Sequence, residues 1–137
     1  LTKFNSNTTT KQSQKMKIAD TETINKIINM SSSELNKLDF GVIKVDDNGI
    51  VQQYNEYESK LGNVDPSNAM GRNWFTDIAA FTNNRLFYGR FKDGIAKNNL
   101  DYAMPYTFTY KISPTNVNIQ MYRDKNSSTN WVFVKRR

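Results

Sequence analysis

Apolar positions are sparse through residues 1–17, "LTKFNSNTTTKQSQKMK", a polar stretch that cannot bury enough apolar surface to order itself. Ile18, Ile24, Ile27 and Ile28 then recur at spacings that put them on one side of a short helix. In "SSSELNKL", Ser31 and Glu34 stand at capping-box spacing, which predicts a second short helix bearing Leu35 and Leu38. From Phe40 the rhythm changes to that of strands. "FGVIKVDDNGIVQQYN" predicts two strands joined around Asn48-Gly49, a strong hairpin signal. Gly62, Pro66 and Gly71 then divide "YESKLGNVDPSNAMGRNWFTDIA" into short helical turns. Leu86, Phe87, Phe91 and Ile95 fall at helical spacing within residues 84–99, so one longer helix is expected there.

Three strands end the pattern. Tyr106, Phe108, Tyr110 and Ile112 alternate with Thr107, Thr109 and Lys111, and "SPT" predicts a turn. Val117, Ile119 and Met121 alternate with Asn118, Gln120 and Tyr122. After the polar connection "RDKNSSTN", "WVFV" supplies the last strand. An antiparallel sheet with one polar face needs helices over the other. The expected class is therefore α+β, and the element order is that of a PAS fold: a five-stranded antiparallel sheet flanked by short helices. The expected divisions are a disordered polar and basic tail over 1–17, an N-terminal helical cap over 18–39 and a PAS core over 40–137.

The chain has 137 residues, enough for one core, and no apolar run nears the ~18–20 residues of a membrane span. No membrane insertion and a cytoplasmic location are the expectations. It opens on leucine, which fits a fragment of a longer protein. There is no cysteine and no histidine, so disulfides, thiol nucleophiles, histidine-liganded haem and histidine-based triads are excluded. An enzyme is not expected. The net charge of +6 comes from the ends: Lys3, Lys11, Lys15 and Lys17 at one, Lys135, Arg136 and Arg137 at the other. The remaining body has twelve basic and thirteen acidic side chains, which is not a nucleic-acid-binding surface. "DNG" resembles part of a calcium loop but lacks its remaining ligands, so no metal is expected.

From Phe40 to Arg136 the chain resembles the photoactive yellow protein family in "FGVIKVDDNGIVQQYN", "GRNWFTDIA", "FYGRFKDGIAKNNL", "YTFTYKISPTNV" and "WVFVKR". The resemblance implies a PAS core with an N-terminal cap. Family members hold p-coumaric acid as a thioester on one cysteine, and in "DIAAFTNN" the matching residue is Phe81, preceded by Ala80 where the family has proline. A benzyl group forms no thioester, so no covalent cofactor is expected. The resemblance also implies a pocket. Tyr54 and Glu58 match the tyrosine and buried glutamic acid at the phenolate, and Tyr106, Phe108 and Tyr110 match aromatics of the pocket wall. Gly62 replaces a threonine, Val64 a gating arginine and Ile112 a methionine.

Each of these residues has two readings. Tyr54 and Glu58 bind a phenol or carboxylate, or they hydrogen-bond each other or a buried water. Phe81 fills the volume of the missing chromophore, or it flanks a cavity and stacks on a noncovalent aromatic ligand. Tyr106, Phe108 and Tyr110 suit ordinary sheet core equally. Two functions follow. One is a non-photoactive PAS module for protein association or signalling through its exposed sheet face or cap, self-association being the first partner expected. The other is a sensor that holds a small aromatic acid noncovalently.

Overall fold

A computed structural model of the chain describes residues 16–109 and 114–137, so the predicted tail lies outside the described residues except for Met16 and Lys17. Thr21–Ile28 (α1) and Ser32–Leu35 (α2) come first. Asp20 caps α1 by accepting from the Thr23 N–H at 2.8 Å. The capping box on α2 forms as its spacing predicts, Glu34 accepting from the Ser31 N–H and Ser31 from the Glu34 N–H. Ile18 precedes α1 and Leu38 follows α2, yet both pack with the helical apolar residues.

Gly41–Val45 (β1) and Val51–Tyr54 (β2) form the predicted hairpin. Asp46 shapes its turn by accepting from the N–H groups of Asn48 and Ile50, both at 2.9 Å, while Gly49 takes a φ of +88°. Glu56–Gly62 (α3) and Pro66–Ala69 (α4) follow, then a π-helical turn at Trp74–Ile78 and a 3₁₀ turn at Ala80–Thr82. The longer helix differs from expectation. Arg85–Gly89 is a second π-helical turn that runs into the α-helix Arg90–Lys97 (α5). The wider π turn rotates Leu86 outward to 61 % exposure, while Phe87 and Phe91 stay fully buried.

Asp101–Thr109 (β3), Pro114–Asp124 (β4) and Thr129–Arg136 (β5) complete one sheet in the order β2-β1-β5-β4-β3, every neighbour antiparallel. Two sequence expectations are corrected here. Pro114 and Thr115, expected in a turn, are strand residues opposite Thr109 and Phe108, so the hairpin bend falls within residues 110–113, outside the described residues. The "RDKNSSTN" connection shrinks to residues 125–128, because Arg123, Asp124, Thr129 and Asn130 pair across β4 and β5. Pro105 lies mid-way along β3, at the margin of the sheet, opposite Asn118. Having no N–H to give β4, it occupies a place where that missing donor would face away from the ladder.

Both faces of the sheet are covered. On one, Ile43, Val45, Val117, Ile119, Met121, Val132 and Val134 meet the aromatic residues of the central turns and α5. On the other, Val42, Trp131 and Phe133 pack under Ile24, Ile27 and Leu35 of the N-terminal helices. The face expected to be polar and exposed is thus largely roofed. Gln120, read from alternation as a polar-face residue, is fully buried there. Its Oε1 accepts from the Ile18 and Ala19 N–H groups, and its Nε2 donates to the Ala19 carbonyl. Some of the terminal charge is also paired at the surface, Lys17 with Asp101 and Lys135 with Asp39. Among the described residues no helix is long and apolar enough to cross a membrane.

Arg123 ties four parts of the chain together. Its guanidinium donates to Asp47 in the β1–β2 turn and to Asn130 on β5, both at 2.8 Å, and to Asn98 after α5 at 2.7 Å. Asn130 and Arg123 hold the Asp47 carboxyl below its ordinary range. Arg123→Ala strands the Asn98 and Asn130 acceptors while Asp47 rehydrates. A loss of about 2–3 kcal/mol in urea unfolding is expected, against little change for the surface substitution Lys125→Ala.

Candidate functional site: a buried carboxyl beside an aromatic cluster

Asn55 sets one side of the site. Its carbonyl oxygen caps α3 through the Glu58 N–H at 3.2 Å and also accepts from the Val42 N–H at 2.9 Å. Its amide donates to the Leu35 and Phe40 carbonyls. This fully used side chain fixes where α3 starts, and so places Glu58 in its first turn, over β1. Asn63, in the left-handed conformation at φ +53°, ends the helix just after Gly62.

Glu58 is 1 % exposed, and its Oε1 has no hydrogen-bond partner. The carboxyl lies against the backbone of β1 at Gly41, where a Cβ would come within 2.5 Å of Oε1. Gly41 is therefore required by close approach. Burial pushes the Glu58 pKa up to about 8, so the carboxyl is mainly protonated at neutral pH. Tyr54, at the end of β2, donates its hydroxyl to the backbone carbonyl of Glu58 at 3.5 Å. The expectation that the two side chains bond each other is thus corrected: the tyrosine reaches the main chain. Burial, with the neighbouring carboxyl, raises the Tyr54 phenol well above its usual value.

Aromatic rings form the other side. Phe81, half-buried in the 3₁₀ turn, packs on Phe108 of β3 with ring centroids 4.7 Å apart. Its backbone is held independently: the Tyr106 hydroxyl donates to the Phe81 carbonyl at 2.7 Å, and the Asn84 amide to the same oxygen at 3.1 Å. Asn84 also donates to the Tyr106 oxygen at 2.7 Å and caps the following turn through the Phe87 N–H. Tyr106, Phe87, Trp74 and Phe108 continue as successive tilted or edge-on contacts. The fully buried Trp74 keeps its indole N–H without a hydrogen-bond partner.

Photoactive yellow protein from Halochromatium salexigens is 41% identical to this chain over 112 residues, 82% of this chain and 90% of that protein. This chain belongs to the photoactive yellow protein family. A crystal structure of the photoactive yellow protein domain from the sensor histidine kinase Ppr of Rhodospirillum centenum superposes with a TM-score of 0.78 at 35% identity, covering 81% of this chain and 97% of that one. The PAS domain of the HTR-like protein from Haloarcula marismortui shares the fold at a TM-score of 0.58 and 10% identity, covering 85% of this chain and 93% of that one. No family model matches the chain. The fold is the PAS fold, and the chain is a sensor-type domain like photoactive yellow protein.

This member of the photoactive yellow protein family has no thiol at any position. Of the residues singled out from sequence, Tyr54, Val64, Phe81, Tyr106 and Phe108 belong to or pack on one apolar cluster, and Glu58 is buried beside Tyr54. Gly62 is half-buried at the last position of α3. Tyr110 and Ile112 lie outside the described residues. The sequence reading missed Asn55, Asn84 and Trp74. Asn55 with Glu58 three residues on has capping-box spacing and was open to detection. Nothing local marks Asn84 as the partner of Tyr106, 22 positions away.

Proposed function

We propose that this chain is a regulatory PAS module of the photoactive yellow protein family that works without covalent p-coumarate, through association with a protein partner or a second copy. The observation that carries this reading is Phe81 packed on Phe108 at the position that the resemblance gives to the chromophore cysteine. A buried phenyl ring stabilises a core by up to ~1.5–3 kcal/mol, so Phe81 supports an apo fold as well as removing the attachment chemistry. The likeness to a domain of a sensor histidine kinase supports a role in regulation.

A second reading rests on the orphan Glu58 Oε1 and Trp74 N–H. Buried polar atoms left unmet each cost about 1–3 kcal/mol. They favour a small aromatic acid or similar polar ligand held noncovalently near Tyr54.

Absorption spectroscopy, native mass spectrometry and light scattering over a concentration series separate the readings. The association reading expects a colourless protein with the bare polypeptide mass and a concentration-dependent dimer or a retrievable partner. A strict monomer that retrieves nothing overturns it. Extra noncovalent mass, or a rise in Tm with an aromatic acid, establishes the second reading instead. A covalent visible chromophore sinks both.

A further inference from the structure

Away from the aromatic cluster, a cleft of about 240 Å³ opens between α2, β2 and α4. Leu35, Tyr54, Pro66 and Met70 give it apolar walls, and Met70 stands 46 % exposed at its edge. Ser32, Gln52 and Gln53 supply polar groups, and no charged side chain lines the cleft. Two other amides at the rim are already engaged. Asn55 makes four hydrogen bonds, and Asn36 accepts from the Glu56 N–H. Gln53 is different: its Oε1 is buried with no hydrogen-bond partner. Unmet acceptor capacity in this cleft therefore rests on Gln53.

We propose that this cleft is a binding site for a small, flat, neutral molecule that carries an amide N–H. Its ring lies against Leu35, Pro66 and the thioether of Met70, and its N–H donates to Gln53 Oε1. The chemistry follows from the lining. A carboxylate entering here would shed water without meeting a cation, which is costly. A purely apolar ligand would leave the Gln53 acceptor unmet. The volume fits a fragment-sized molecule rather than an extended cofactor, and methionine adapts readily to ring edges. Because α2 supplies Leu35 while β2 and α4 supply the rest, an occupant bridges the N-terminal helices and the core. The cleft shares only Tyr54 with the aromatic site, so this proposal stands or falls apart from what that site holds.

Benzamide is the probe, and benzoate, with nearly the same shape but a charge and no N–H, is its control. In ¹⁵N- and methyl-detected NMR titrations of the whole chain, benzamide is expected to shift the Gln53 side-chain amide, the Leu35 methyls and the Met70 methyl saturably at millimolar concentration. Benzoate is expected to leave them in place. Gln53→Leu should abolish the benzamide shifts while keeping the dispersed spectrum of a folded protein. Equal responses to both probes, no saturable response at these residues, or full binding by folded Gln53→Leu each overturns the proposal. Should Gln53→Leu fail to fold, the benzamide–benzoate comparison on the natural sequence decides the matter alone.

Discussion

Phe81→Cys protein treated with an activated ester of p-coumaric acid is expected to turn yellow and to melt higher than before treatment. The substitution leaves the backbone anchors of residue 81 intact, since Tyr106 and Asn84 bind its carbonyl oxygen and not its side chain. What it removes is the ring on Phe108. At a half-buried position that loss is roughly 2 kcal/mol, about half the cost at a fully buried one. The attached coumaroyl ring restores the lost volume, and the regained Tm measures that restoration. Colour reports a second property. A p-coumaroyl thioester absorbs visible light as the phenolate, so a yellow product at neutral pH requires groups that stabilise a phenolate. Tyr54 is available for this, because its existing bond to the Glu58 carbonyl is long, at 3.5 Å. Mass spectrometry confirms acylation independently. A folded, acylated and colourless product would show that the phenol-binding end has been lost along with the thiol.

Stability is expected to fall as pH rises from 5 to 8, and Glu58→Gln to abolish most of that fall. The Glu58 pKa is raised by burial from its ordinary 4.5 to about 8 in the folded chain. Between those values the native state keeps a proton that the unfolded state has released. Unfolding therefore releases that proton, and rising pH favours the unfolded state. The slope approaches about 1.4 kcal/mol per pH unit, so about 4 kcal/mol separates pH 5 from pH 8. Above pH 8 both states are ionised and the slope disappears. Asp20, Asp47 and Asp65 have lowered pKa values, act in the opposite direction and matter only below about pH 4. Glutamine keeps the shape and the neutral state of the protonated acid. The variant should therefore equal the natural chain near pH 5 and exceed it near pH 8. Urea unfolding across this range checks the expectation, and parallel pH curves for the two proteins would refute it.

Local chemistry was legible in the sequence. Ser31 with Glu34, and Asn48 with Gly49, act over three or four residues, and both features form where the spacing put them. Strand alternation located the buried faces of β3 and β4 but not the start of β3, where Asp101 is exposed and Pro105 interrupts the pattern. The π turns were not legible, because they rotate Leu86 off an otherwise helical stripe through backbone geometry alone. Nor was the burial of Gln120 and Arg123, which depends on groups brought from the far end of the chain or from other turns. At the site, the resemblance found most of the residues that gather around Tyr54 and Phe108. It could not reveal that Tyr54 turns to a main-chain carbonyl, leaving one Glu58 oxygen alone.

Pro105 bears on how copies of this domain meet. A neighbouring chain laid alongside β3 would look for regularly spaced donors and find a gap at the centre of its docking line. The proline acts as a bumper there, turning away strand-to-strand growth into fibres and leaving association to surfaces recognised through their side chains.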